Sequence, residues 1–297
     1  KLKAGGSTAG GEGLQLAYQL AESNFDEQAV NRIMLATEGD FNVGLSDPEQ
    51  LTDFVERKRQ SGIYLSVIGF GQGNYKDALM QSLAQNGNGI AAYIDTLGEA
   101  QKLFVEEATS SLFPIAKDLK IQVEFNPAVV NEYRLLGYET RALKEEDFNN
   151  DKVDAGDIGS GHAVTAIYEV TLSGQPGSYL NKSRYASSDG TTVSDASAEL
   201  GYLKIRYKLP GEESSQLLEQ PIMSAATVTP VIMQEVNFAT AVAGFAQLMK
   251  DGKYTGQWSL DDAFNLALAN KGEDYYGYRG EFTQLIRQAK VAEEAEF

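Results

Sequence analysis

Two short segments near the start of the chain hold the side chains best suited to chemistry. Gly5-Gly6-Ser7-Thr8-Ala9-Gly10-Gly11 sets a hydroxyl in a glycine-rich loop before a helical pattern, and Thr37-Glu38-Gly39-Asp40 sets a carboxylate directly after a strand-like apolar run. Magnesium takes near-octahedral oxygen ligands at about 2.1 Å, commonly a few hydroxyls and carboxylates completed by water. Loops at the ends of neighbouring parallel strands can supply such oxygens from segments far apart in sequence. Thr8 and Glu38 are therefore the candidate metal ligands, with Asp40 as the substitute carboxylate. On residue types alone, the same pair also reads as a helix-capping threonine and an exposed loop glutamate.

Three further motifs are weaker. Gly69-x-Gly71-x-Gly73 follows a strand-like run but lacks the Gly-x-Gly-x-x-Gly spacing of a dinucleotide loop, and reads as turn glycines. Asp147, Asn149 and Asp151 imitate the opening of a calcium-binding EF-hand loop. Lys152 stands where that loop needs glycine and Ile158 where it needs the bidentate glutamate, so a solvated acidic loop is expected. Tyr275, Tyr276 and Tyr278 would serve either as an aromatic platform or as packing at a helix junction, and the second reading is preferred.

Composition narrows the remaining chemistry. The 297 residues include no cysteine and one histidine, His162, which excludes thiolate nucleophiles, disulfides, zinc-thiolate sites and multi-histidine centres. His162 precedes an alternating apolar run and is expected at a strand entry. No pair of carboxylates is marked out by spacing for acid-base work, so no catalytic residue is assigned and no enzymatic activity is expected. A net charge of −17 opposes nucleic acid and anionic membranes as partners, and no apolar run is long enough to span a bilayer.

The elements that must position Thr8 and Glu38 are legible as periodicities. Leu14, Ala17, Tyr18 and Ala21 recur at helical spacing, and residues 33 to 36 form an apolar run. Asp47-Pro48 is a helix start signal ahead of Leu51, Phe54 and Val55. Strand-like runs at 63 to 68 and 90 to 94 alternate with helical patterns around 78 to 84 and 100 to 107. Alternating helix and strand predict a parallel, doubly wound sheet with ligands at the strand ends. From Pro114 the period becomes two. Leu119, Ile121, Val123 and Phe125 are predicted to be buried and Lys120 to be wet, with similar runs at 164 to 172 and 203 to 209, as in an antiparallel sheet or sandwich. Residues 174 to 199 read as a mobile loop. After Pro230 the period is helical, with Phe238, Val242, Phe245 and Met249 on one face, Ser259 capping a helix with Phe264, Ala267 and Leu268, and a third helix striped by Phe282, Leu285, Ile286 and Ala289. The predicted organisation is thus 1 to 113, doubly wound α/β; 114 to 230, β-sandwich-like; and 231 to 297, three helices.

The glycine-rich segment with Thr8, together with Ile33-Met34-Leu35-Ala36-Thr37-Glu38-Gly39-Asp40-Phe41-Asn42-Val43-Gly44, resembles two segments of a von Willebrand factor type A domain. Gly69 to Tyr75, Asn88 to Asp95, Val153 to His162 and Gly272 to Arg279 resemble the bacterial YfbK-like branch of that family, across nearly the whole chain. The resemblance implies a metal-ion-dependent adhesion site in which an Asp-x-Ser-x-Ser loop, a threonine matching Thr8 and an aspartate matching Glu38 hold Mg2+, with Ca2+ or Mn2+ as alternatives. A protein ligand with an acidic side chain would complete the coordination. The Asp-x-Ser-x-Ser loop would lie upstream of Lys1 and is absent from the chain as given, leaving apolar sheet edges to be covered. Glu38 also replaces aspartate, so no metal is expected at this site in this chain unless another polypeptide supplies the missing segment. The function implied is a non-enzymatic recognition or adhesion module of the cell envelope or periplasm, some relatives resembling lipoproteins; the alternative is an intracellular adaptor for a MoxR-type AAA+ ATPase.

Overall fold

A computed structural model of the chain describes residues 10–27, 29–37, 47–71, 76–106, 114–138, 141–177, 179–180, 199–250 and 252–295. By contacts the chain divides into two units. One comprises Lys1–Leu119, Asp151–His162 and Tyr207–Ser215, and the other Lys120–Asn150, Ala163–Arg206 and Gln216–Phe297.

The first unit is built on a parallel sheet of β1 (Asn31–Thr37), β2 (Ile63–Gly69) and β3 (Ala91–Tyr93), in that order. Its helices are α1 (Gly10–Ser23), α2 (Pro48–Arg59), α3 (Asp77–Asn86) and the short α4 (Leu97–Gln101), which runs into a π-helical turn at Lys102–Glu106. The α2 start signal works as the sequence predicts: the Asp47 carboxylate accepts the Gln50 N–H at 2.9 Å, and Pro48 opens the helix without wasting a donor. Its last turn carries Arg57, Lys58 and Arg59, which suit the negative end of the helix dipole. Leu14 and Tyr18 of α1, Leu51 and Val55 of α2, and Met80 and Leu83 of α3 close on Ile63, Leu65 and Val67 of β2. Each such side chain contributes about 2 kcal/mol by leaving water. Because β2 lies between two partners, its residues are buried on both faces, as a central parallel strand requires.

An antiparallel sheet follows, in the order β6-β4-β8-β9, from β4 (Pro114–Phe125), β6 (Gly156–Gly159), β8 (Glu199–Lys208) and β9 (Gln216–Met223). A separate ribbon pairs β5 (Val130–Leu136) with β7 (Ile167–Leu172). One prediction fails inside β4: Lys120 is only 4% exposed and Ile121 is 40% exposed. The cause is a bulge. Asp118 adopts a left-handed φ of 50°, and the pairing with β6 slips between Ala116 and Leu119. An extra residue shifts the alternation locally, so the lysine turns inward and Ile121 outward, while further on Glu124 is exposed and Phe125 packs against Tyr133 and Tyr168. Its ammonium group donates to the carbonyl oxygens of Asp147 and Asn150. β7 is also shorter than expected, since Val164 and Ala166 precede it, and His162 closes the turn after β6 by donating its N–H to Gly159 O at 3.1 Å. Of the loop expected at 174 to 199, residues 178 and 181–198 lie outside the described residues.

Three helices end the chain: α5 (Pro230–Lys250), α6 (Leu260–Ala269) and α7 (Tyr278–Ala295). Ser259 caps α6 in a reciprocal box with Asp262, as expected. The buried faces are rotated from the predicted stripes. On α5 the inward line is Phe238, Ala241, Phe245 and Leu248, while Val242 and Met249 are exposed. On α6, Ala263 and Ala267 are inside and Leu268 outside; on α7, Ile286 is inside and Leu285 outside. Small residues decide the matter, since Ala241, Ala263 and Gly244 allow close approach: a Cβ on Gly244 would lie 2.5 Å from the indole nitrogen of Trp258.

In the second unit, Arg134 ties the β5–β7 ribbon to the last turn of α5 and the loop after it. Its guanidinium donates to Glu169 at 2.6 Å and Gln247 at 2.8 Å, and lies 4.7 Å from the ring centre of Tyr254.

Candidate functional site

The carboxyl ends of the three parallel strands lie at one level. Phe70 N–H donates to Thr37 O at 3.0 Å and Ile94 N–H to Gly69 O at 2.9 Å, so β1, β2 and β3 release their following loops side by side. α1 returns to the same level. Its 14 residues rise about 21 Å, the 7 residues of β1 span about 23 Å, and the short link between them is pinned where the Asn31 amide donates to Asp26 O. Since α1 packs on β1, its N-terminus at Gly10 comes back to the Thr37 end. Thr8 precedes that helix by two residues and Glu38 follows that strand directly. Thr8, Glu38 and Asp40 themselves lie outside the described residues.

The donor set can still be weighed by its chemistry. Thr8 offers one hydroxyl and Glu38 one carboxylate, with Asp40 as a second, against six oxygens at strict distances for magnesium. These residues alone do not fit a tight magnesium site. Among the described residues, no group of three or more His, Cys, Asp or Glu side chains is arranged to hold a metal ion.

The weaker motifs have structural explanations. Gly71 takes a φ of 86° in the turn after β2, and its carbonyl accepts the Tyr93 hydroxyl; Gly73 lies outside the described residues. The 147–151 loop is anchored rather than merely solvated, because Lys120 draws the Asp147 and Asn150 carbonyls and Phe148 is buried. The carboxylate of Asp151 accepts both the N–H and the hydroxyl of Ser215. Tyr275 is exposed and donates its hydroxyl to Glu273, whereas Tyr276 is half-buried.

A polar cluster that sequence reasoning missed lies beside the opposite, amino ends of β1 and β2. Arg32 and Tyr64 face each other across these strands, and the Arg32 guanidinium donates to the fully buried hydroxyl of Ser66 at 2.7 Å. Its Nε is buried without a partner among the described residues, and burial lowers its pKa. Lys117 stands 5.5 Å from the Tyr64 ring centre. Three carboxylates complete the cluster. Asp118 is paired with Lys208 at 2.8 Å and Asp154 with Arg59 at 2.9 Å, while burial pushes Asp157 up to about 6. The sequence signal was faint: a Lys-Asp pair inside an alternating strand, and two aspartates three apart at the start of β6.

Comparison with known proteins places this geometry in a family. The von Willebrand factor type A domain profile matches residues 1–106, and the profile of the C-terminal region of the uncharacterized protein YfbK matches residues 110–292. The chain is 46% identical over 288 residues to the uncharacterized protein YfbK of Escherichia coli (strain K12), an alignment covering 97% of this chain and 49% of that relative. It thus spans about half the relative's length. Among solved structures, a von Willebrand factor type A protein from Catenulispora acidiphila aligns with a TM-score of 0.46 at 15% identity, covering 97% of this chain and 64% of that one. The conserved hypothetical protein BatB from Bacteroides thetaiotaomicron aligns with a TM-score of 0.28 at 22% identity, over 36% of this chain and 60% of the other. The chain belongs to the YfbK family, with a von Willebrand factor type A domain over its first third and a YfbK-type C-terminal region after it.

Proposed function

We propose that the chain is a non-enzymatic protein-recognition module that reads its partner with the loops after β1, β2 and β3, and that Thr8 and Glu38 do not suffice by themselves for tight magnesium binding there. The supporting observation is the common level at which these strands end, next to the N-terminus of α1, in a chain that carries a von Willebrand factor type A domain. A rigid sheet fixes the points from which its loops leave, which suits recognition. Thr8 and Glu38, with Asp40 in reserve, would be this chain's share of a magnesium site, and a partner's acidic side chain would be the last ligand. Recognition at the bacterial cell envelope or periplasm is the setting we favour, on the resemblance to envelope proteins. No described helix is long and apolar enough to cross a membrane.

Replacing residues 38–44 by a glycine-serine loop tests the reading, because it leaves β1 intact. Crosslinking pull-downs from a bacterial envelope fraction, with and without EDTA, are expected to retain a reproducible set of proteins on the unaltered chain and to lose that set on the loop variant. Identical capture by both chains would overturn it.

A further inference from the structure

A cleft in the second unit opens where the first turns of α5 meet the end of α6. It holds about 410 Å³ and is lined by Pro230, Val231, Met233, Gln234, Asn237 and Asn270. Volumes of about 300–1,000 Å³ are usual for ligand sites. A relay of carboxamides orients its polar wall. Asn270, which ends α6, donates its amide to Leu266 O at 2.9 Å, and its own side-chain oxygen accepts the Asn237 amide at 3.1 Å. The relay fixes which way the Asn237 side chain points and leaves Asn237 Oδ1 as an open acceptor among the described residues. Gln234, one turn earlier on α5, is half-buried yet makes no hydrogen bond among the described residues. Gly272 makes room for it: a Cβ there would lie 3.2 Å from Gln234 Oε1, and its φ of 60° is one that side chains rarely adopt. The apolar wall is open, with Val231 70% and Met233 43% exposed. No charged residue lines the cleft. Glu235, beside it on α5, is neutralised by Arg279 at 3.0 Å, which also donates to Lys271 O at 2.9 Å.

We propose that this cleft is a second recognition site, which takes an uncharged, extended peptide segment of a protein partner by one apolar side chain and the peptide groups beside it. The unmatched polar groups select that class. Asn237 Oδ1 needs an N–H, and the Gln234 carboxamide meets both an N–H and a carbonyl, which is the pattern a peptide chain repeats. Gln234 and Asn237 stand three apart on the helix, hence about 5–6 Å from each other, close enough to engage the two peptide groups flanking one residue. Pro230, Val231 and Met233 cover that residue's side chain. Charge matches as well. A neutral wall gives a phosphate, a carboxylate or a lysine no counter-ion for the water each would lose, whereas a peptide group loses only hydrogen bonds that the carboxamides return. The cleft shares no residue with the loops after β1, β2 and β3, so it stands independently of them.

Nitrogen-15 NMR of the whole chain titrated with N-acetyl-leucine N-methylamide, one apolar residue between two peptide groups, tests the site. The side-chain amide signals of Gln234, Asn237 and Asn270 are expected to shift saturably, with a dissociation constant on the order of 1 mM for so small a ligand. N-acetylglycine N-methylamide, which lacks the apolar side chain, should bind at least about fivefold more weakly. Gln234→Ala removes a side chain that the fold does not use, and should weaken the leucine probe about fivefold. Val231→Asp, at an exposed position, should weaken it by at least as much. Replacing residues 38–44 should leave binding unchanged, which separates this site from the strand-end loops. No saturable shift up to about 20 mM, equal affinity for the glycine probe, or undiminished binding in both variants would each overturn the proposal.

Discussion

Gly89→Ala is expected to abolish cooperative folding of the first unit. The link from α3 to β3 already pairs with β2 before the strand proper: Leu65 N–H donates to Gly87 O and Val67 N–H to Ile90 O, both at 2.8 Å. Three residues on one side thus oppose two on the other, and the extra one is accommodated at Asn88, with φ 48°, and Gly89. A Cβ on Gly89 would lie 1.9 Å from Leu65 O and 2.8 Å from Ser66 N. These are backbone atoms of the central strand, whose neighbours Leu65 and Val67 are fully buried, so neither side can yield by rotating a side chain. Ordinary overpacking costs about 1–3 kcal/mol, and this contact should exceed it, at about 4 kcal/mol or more. Thermal denaturation followed by circular dichroism should show the first unit unfolded or melting far earlier. The control is Gly13→Ala at an exposed position of α1, where an added Cβ meets nothing within 4 Å and helix propensity should raise stability by up to about 1 kcal/mol. Equal melting temperatures for the two variants would refute the close approach.

Ala241→Asp should unfold the C-terminal helices at neutral pH, whereas Val242→Asp on the same turn should be tolerated. Ala241 is completely buried among Phe245, Ala263, Ala267 and Ile286, while Val242 is 39% exposed. A carboxylate forced into that apolar contact either stays charged without a partner or is protonated at a cost. A shift of three or more pKa units corresponds to about 4 kcal/mol. The loss should shrink as pH falls and the new carboxyl is neutralised, which a urea titration at two pH values would reveal. A greater loss in Val242→Asp would reverse the assignment of the buried face.

The same comparison shows where sequence reading reached and where it stopped. The alternation from α1 to β3 was legible because each segment carries a single clear period, with Asp47-Pro48 marking a start. In α5, however, 238-242-245-249 and 238-241-245-248 both satisfy helical spacing. Larger side chains favour the first on hydropathy, yet close helix approach at Ala241 and Gly244 selects the second. In β4 the strand period was right and its parity wrong at Lys120 and Ile121, since no glycine announces the bulge that turns Lys120 inward. Of the candidate site, the frame formed by β1 and α1 was legible, but Thr8, Glu38 and Asp40 rest on family resemblance. The hydrogen bond from the Asp118 N–H to the Asp157 carboxyl was hidden because its ends are 39 residues apart and meet only through the pairing of β4 with β6.

Titration calorimetry with magnesium tests the central claim most directly, because Thr8, Glu38 and Asp40 offer too few oxygens to hold the ion tightly by themselves. The unaltered chain should give only heats of dilution into the millimolar range, and Thr8→Ala should behave identically. One-to-one binding at micromolar concentration, lost in Thr8→Ala, would contradict the account.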